Sequence, residues 1–219
     1  MVTYEQICND AAIRTYIERA DRSLLALGYT EHNIPHVTRV ATVAGDILQT
    51  LNMPERQVEL ARIAGHLHDI GNVINRIDHS QSGAVMAFRL LDRYGMPPEE
   101  ICTVAAAIGN HDEGSGVPVD EVSAALILAD KSDVRRTRVR NADLASFDIH
   151  DRVNYSVTQA QLQINSDKTE IELCLTIDTK YGSIMEFFEI FLERMKLCRR
   201  AAERLGLRFR VRINDQLLL

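Results

Sequence analysis

The chain has 219 residues, 46% of them apolar, and a net charge of -6, enough to bury a real core as one large domain or one domain with an appendage. The acidic balance excludes long-range attraction to nucleic acid or to an anionic membrane surface, so any phosphate chemistry must come from a local site. The N-terminal "MVTYEQICND" has neither a basic segment nor an apolar one, and the longest apolar run, "AALILA" at 124–129, is too short to cross a bilayer, which predicts a cytoplasmic protein with no membrane partner.

Residues 4 to 27 carry apolar side chains at helical spacing and stop at Gly28, which predicts one helix. Asn33 can cap a second, with Pro35 in its first turn, His36 one turn inside, and a stripe of Val40, Val43, Ile47, Leu48 and Leu51. A third starts at Pro54, buries Val58, Ala61, Ala64 and Leu67, and is broken by Gly71, placing His68 and Asp69 of "AGHLHDIGN" in its last turn. A fourth spans about Ser80 to Tyr94 with His79 at its mouth. Pro97-Pro98 opens a fifth, "EEICTVAAAIGN", which delivers His111 just past its end. The loop "DEGSGVP" then leads into "VDEVSAALILADKSDVRR", a sixth helix with Asp130 in its second half.

From about residue 150 the pattern changes. "VNYSVTQAQLQIN" and "TEIELCLTID" contain period-two stretches around the turn residues Asn165, Ser166 and Asp167, which predicts a hairpin with Ile171, Leu173, Leu175 and Ile177 on one face. Residues 183 to 205 form an amphipathic helix, closed by Gly206 before a last strand, "LRFRVRI". Its Arg208, Arg210 and Arg212 share a face and are best explained by pairing with Glu170 and Glu172 on a neighbouring strand. The expected fold is mainly α: a helical bundle over 1–145 and a small C-terminal β-β-α-β appendage over 146–219, with no chemistry of its own. Cys8, Cys102, Cys174 and Cys198 have no metal-site or disulfide spacing and are expected to be reduced, packed residues.

Six ionisable groups stand at helix ends or inside apolar helices: His36, His68, Asp69, His79, His111 and Asp130. A buried carboxylate such as Asp130 is costly unless it meets a donor or a cation. Six such groups on elements that a bundle can bring together call for a common partner, and a divalent metal suits neutral imidazoles and ionised carboxylates.

The order "PHVTRVA", "HLHDIGN", "LADKSD" resembles the HD superfamily of metal-dependent phosphohydrolases over roughly residues 20 to 140. The resemblance implies that His36, His68, Asp69 and Asp130 hold a first metal, with His68 and Asp69 the catalytic doublet. It also implies that His79 in "HSQSGAVMAF" and His111 in "IGNHDE" serve a second ion, with Asp69 bridging the two. The expected cofactor is therefore a divalent metal, two ions drawn from iron, manganese, cobalt, nickel or zinc. Asn72 departs from the Lys that many relatives carry after "HDIG", and the interval from Asp69 to His79 is short.

The expected activity is hydrolysis of a nucleotide or related phosphate ester or anhydride by a metal-activated hydroxide. Lys131, Arg39 and Arg135 are the candidate substrate contacts. The wider run Arg135, Arg136, Arg138 and Arg140 reads either as a rim for a polyanion or as a solvated helix end. Asp112, Glu113 and Asp133 are placed to orient ligands, whereas His32 and His66 read as core or surface residues. Two alternatives use the same ligands: a mixed-valent diiron oxygenase, and a non-catalytic, metal-stabilised scaffold that senses a nucleotide. The expected partner is a small phosphorylated substrate, and homodimerisation through the first helix or the appendage is compatible with this organisation.

Overall fold

A computed structural model describes residues 1–218 of the chain. The predicted first helix is two. Helix α1 (Tyr4–Cys8) ends at Asn9, and Asp10 caps α2 (Ala11–Ala26), its carboxylate accepting from the backbone N–H groups of Ala12 and Ile13 at 2.7 and 2.8 Å. An aspartate that satisfies two such donors favours a new start over continuation. Helix α3 (Ile34–Thr50) begins as expected, with Asn33 Oδ1 accepting from the His36 N–H.

Helix α4 (Glu55–Leu67) stops at least two residues earlier than the sequence suggests. His68 is its cap, Asp69 lies beyond it, and a 3-10 turn follows over Ile70–Val73. Helices α5 (His79–Arg93), α6 (Pro98–Gly109) and α7 (Glu121–Lys131) complete the bundle. Every residue of α7 from Val122 to Lys131 is buried, as expected of a helix apolar on all sides. It is the central element, packed by α3, α4 and α6.

Helix α8 (Ile149–Ser156) occupies the start of the segment expected to be a strand, so "VNYS" is helical. Strands β1 (Val157–Ile164) and β2 (Glu170–Ile177) form the expected antiparallel hairpin. Helix α9 (Ile184–Arg204) then crosses over to β3 (Arg208–Ile213), which pairs parallel with β2, and a short β4 (Gln216–Leu217) closes the sheet in the order β1-β2-β3-β4. Ile171, Leu173, Leu175 and Ile177 are buried, and Arg210 and Arg212 pair with Glu170 and Glu172 at 3.0 Å. Helix α9 packs on β3 on one side and on α7 on another, so it joins the sheet to the bundle. The four cysteines are free thiols. No helix among the described residues is long and apolar enough to cross a membrane.

The close approach that positions the site lies between α3 and α4. A Cβ on Gly65 would stand 2.6 Å from Ala41 Cα and 2.8 Å from Ala41 N, distances at which backbone must move. Gly65→Ala is therefore expected to spread the two helices that carry His36 and His68, lowering stability by about 1–3 kcal/mol and reducing metal content. A urea midpoint equal to that of the parent would show that the helix pair has room to spare.

Candidate metal centre

Six side chains from five places in the chain meet at one end of the bundle. His36 comes from the first turn of α3, His68 and Asp69 from the end of α4, His79 from the start of α5, His111 from the residue pair after α6, and Asp130 from the last turn of α7. All are buried. His36 Nε2 lies 3.6 Å from Asp69 Oδ2 and 3.5 Å from Asp130 Oδ1; His68 Nε2 lies 3.3 and 3.6 Å from the same two oxygens. The other oxygen of Asp69, Oδ1, is 3.5 Å from His79 Nε2, which is 3.2 Å from His111 Nε2.

The tautomers follow from what the Nδ1 atoms touch. His68 Nδ1 faces the Gly65 carbonyl at 2.8 Å, His79 Nδ1 that of Arg76 at 3.1 Å, and His111 Nδ1 that of Ile108 at 2.6 Å. His36 Nδ1 faces Asp133 Oδ2 at 2.7 Å. Each acceptor takes the Nδ1 proton and leaves the Nε2 lone pair pointing into the cluster, which is how metal-binding imidazoles are oriented.

The residues fit a metal on three counts. His36 Nε2, His68 Nε2 and Asp69 Oδ2 are buried atoms with no hydrogen-bond partner among the described residues, a costly arrangement unless an ion satisfies them. The 3.3–3.6 Å donor spacings bracket the ~3.4 Å edge of a tetrahedron with bonds of ~2.1 Å. The donor atoms of His36, His68 and Asp130, and those of His68, Asp69 and His111, lie within 4.8 Å of one another.

Charge is balanced around the ligands. Burial works against ionising Asp69 and Asp130, yet His68 beside Asp69, and Lys131 with the imidazoles beside Asp130, hold both carboxyls well below the usual range. Burial likewise opposes a charge on His68, but Asp69 and Asp130 outweigh it and push its pKa up to about 10. Burial, with Lys131 nearby, depresses His111 to about 3, and burial lowers His79.

Around this centre lies a further set of contacts. Lys131 Nζ is 2.7 Å from Asp130 Oδ2 and 3.4 Å from Glu113, which also accepts from Arg194 Nε at 2.8 Å. Asn72 donates to the backbone carbonyl and Oδ1 of Asp69 at 2.9 and 3.0 Å. Asp133 is met by Arg39, Arg135 and Arg138 at 3.1, 2.5 and 3.9 Å.

These contacts revise the reading of the basic residues. Lys131 is buried between two carboxylates, Arg39 joins Asp133 to the Ala160 carbonyl of β1, and Arg135 is bound by Asp133. None of the three lines the main pocket. Arg136 bonds the Tyr155 carbonyl and Arg140 pairs with Asp21, so these members of the basic run stitch the chain together, and of the four only Arg138 lines the cavity. Asp133 bonds His36 directly and Glu113 reaches Asp130 only through Lys131, whereas no side-chain contact among the described residues joins Asp112 to the six.

A cavity of about 570 Å³ lies against the cluster, lined by Arg76, Arg138 and Arg194, by the rings of Tyr29, His32 and Phe191, and by Glu113, Asp148, Asp151 and Glu193. Its inner wall touches the ligands: the His32 ring packs edge-on against His36, with centroids 5.5 Å apart, and Arg76 Nη1 is 3.4 Å from His79 Nε2. Spacing does not assign Arg76, Asn72, His32 or Arg194 to the site. Arg194 interrupts the apolar face of α9 between Phe191 and Met195, which is the one sequence signal that could have found it.

The HD domain family matches residues 33–148, just over half the chain, and the protein belongs to that family. It is similar to an uncharacterized protein of Methanocaldococcus jannaschii, 22% identical over 221 aligned residues that cover 88% of this chain and 82% of the relative. Among solved structures it is similar to a predicted HD superfamily hydrolase from an uncultured Thermotogales bacterium, 25% identical with a TM-score of 0.45, covering 57% of this chain and 67% of the other. HD domains bind divalent metals, and the His/Asp clusters described above could hold them.

Two outcomes follow from the geometry. Asp69 and Asp130 push the His68 pKa up to about 10, so its Nε2 must lose a proton before it can hold a metal, and binding of manganese should release about one proton from this residue. The apparent affinity should then rise roughly tenfold per pH unit between about pH 6 and 8; calorimetry in two buffers of different ionisation heat counts the proton, and a count of zero would mean that His68 is already neutral. Asp133→Asn should weaken metal binding by about 10–100-fold through loss of the His36 anchor, as read by competition with a chelator; unchanged affinity would show that helix packing alone fixes the ring.

Proposed function

We propose that the protein is a metal-dependent phosphohydrolase with a dinuclear centre, cleaving a nucleotide or related phosphate ester or anhydride. The observation that carries this reading is the convergence of four imidazole Nε2 atoms and two buried carboxylates behind an arginine-bearing pocket, whose lining residues His32 and Arg76 touch His36 and His79. The opposed oxygens of Asp69 support two ions: Oδ2 faces His36 and His68, and Oδ1 faces His79. In that arrangement His36, His68, Asp69 and Asp130 hold one ion, and Asp69, His79 and His111 the other. His79 Nε2 and His111 Nε2, 3.2 Å apart, would both serve the second ion.

Divalent metal held by these groups lowers the pKa of water and neutralises charge on phosphoryl oxygens. The chain's own residues do the rest. Asp133 keeps His36 in the tautomer that leaves Nε2 free, and Lys131 takes Asp130 Oδ2 so that Oδ1 turns inward. Asn72 fixes the carboxylate plane of Asp69 by bonding its Oδ1. In the pocket, Arg76, Arg138 and Arg194 supply positive charge, and Tyr29 and Phe191 add apolar surface to the lining. Three arginines beside the centre favour phosphate chemistry over the oxygenase alternative, which needs no cationic pocket.

A panel of nucleotides and phosphodiesters assayed with added manganese, cobalt or iron should yield inorganic phosphate or a mononucleotide from at least one member. Asp69→Ala should abolish that release while leaving the circular dichroism spectrum intact; full turnover in this variant would place the chemistry elsewhere. Elemental analysis of untagged protein should find close to two metals per chain, falling towards one in His79→Ala and His111→Ala. One metal, unchanged by either substitution, would reduce the centre to a mononuclear one.

A further inference from the structure

Resting on the phosphohydrolase reading, we propose that Arg76 is the residue that receives the anionic phosphoryl group of the substrate, and that Asn72 positions it. The basic residues around the pocket differ in what already neutralises them. Lys131 is held by Asp130 and Glu113. Arg194 donates to Glu113 and lies over the Phe191 ring, 4.4 Å from its centroid. Arg138 is buried and donates to the backbone carbonyls of Glu31 and Asp133 at 2.9 and 2.7 Å.

Arg76 is different. Its Nη1 makes two long contacts, each 3.4 Å, to Asn72 Oδ1 and His79 Nε2, and neither partner is a carboxylate. Among the described residues no carboxylate lies within ion-pair distance of it. The side chain is half-buried and lies over the Tyr29 ring, 5.4 Å from the centroid. A guanidinium has five donors, so most of its hydrogen-bonding capacity is uncommitted on the pocket side. An uncompensated charge held partly out of water is unfavourable until an anion joins it, and a planar fork suits two oxygens of one phosphoryl group.

Position makes the charge useful. The Arg76 carbonyl faces His79 Nδ1 at 3.1 Å, a contact that a metal on Nε2 would leave in place. Asp78, in the left-handed region with φ 56°, turns the chain from this loop into α5 immediately before His79. Asn72 bonds Asp69 with its Nδ2 and Arg76 with its Oδ1, so the guanidinium is indexed to the carboxylate that faces both sides of the cluster. An oxyanion bound by Arg76 therefore sits next to the His79–His111 pair. The carboxylates Asp148, Asp151 and Glu193 on the same cavity keep the pocket from attracting anions everywhere, which confines recognition to this corner.

The test uses the full-length, manganese-loaded protein and inorganic phosphate as the probe, with binding measured by calorimetry. Arg76→Ala should weaken phosphate binding at least tenfold, and Arg76→Lys should restore less than half of that loss on a logarithmic scale. Metal content and melting temperature should match the parent in both variants. Arg14→Ala, on the exposed face of α2, controls for net charge and should bind as the parent does. If a hydrolysed substrate has been found, Arg76→Ala should also raise KM for it. Phosphate binding that survives both substitutions, or no phosphate binding by the parent at millimolar concentration, overturns the assignment. Binding that depends on Arg76 without turnover of any phosphate ester upholds it while removing the hydrolase reading. Turnover indifferent to Arg76 does the reverse.

Discussion

Two carboxylates, Asp69 and Asp130, sit 3.3–3.6 Å from the same pair of imidazole nitrogens in an interior that solvent scarcely reaches. Most of the polar architecture answers to that concentration of charge. Lys131 takes the outer oxygen of Asp130, Glu113 steadies Lys131, and Arg194 steadies Glu113. On the other flank, Asp133 anchors His36 and is itself surrounded by Arg39, Arg135 and Arg138. Each charge is compensated by one slightly further out, until the chain of pairs reaches the sheet and the helices at the rim. Removing one partner of such a buried pair costs more than the pair is worth, because the other charge stays behind.

The helical half of the fold is largely legible in the sequence, since its apolar spacing, proline starts and glycine stops all point the same way. That six ionisable residues would meet at one end of the bundle is legible for a related reason: an ionisable group at the end of an apolar helix is costly to bury alone. What spacing cannot deliver is pairing. A guanidinium in "VRRTRVR" looks the same whether it faces solvent, a backbone carbonyl or Asp133, and only the folded path of residues 131–140 decides. The break at Asn9-Asp10 is hidden because the apolar periodicity runs through it, although Asp10 is a sound capping residue. Helix α8 is hidden because the period-two run of β1 begins immediately after Ser156, so that the two segments merge into one pattern.

By its pattern alone the C-terminal segment has no chemistry, and its place in the molecule is otherwise. Helix α9 lies between the sheet and α7, and it carries Phe191 and Arg194 to the cavity wall. The sheet holds α9 in place through the buried faces of β2 and β3. The hydrophobic face of α9 and its one polar interruption thus serve different ends, the first binding the helix to the core and the second adding to the charge compensation of Asp130.

That placement bears on how the molecule is made. Helix α7 ends at Lys131 and α9 at Arg204, a gap of 73 residues that takes about 4–15 s to synthesise at ~5–20 residues per second. Through that interval the α9 side of α7, buried along nearly its whole length in the finished fold, has no cover, and Glu113 and Lys131 stand without Arg194. A nascent chain in this state has its ligands assembled on α3 to α7 but not the outer charges that balance them. The bundle's centre is thus finished by a segment made well after its own helices, which ties the charge balance of the site to the arrival of α9.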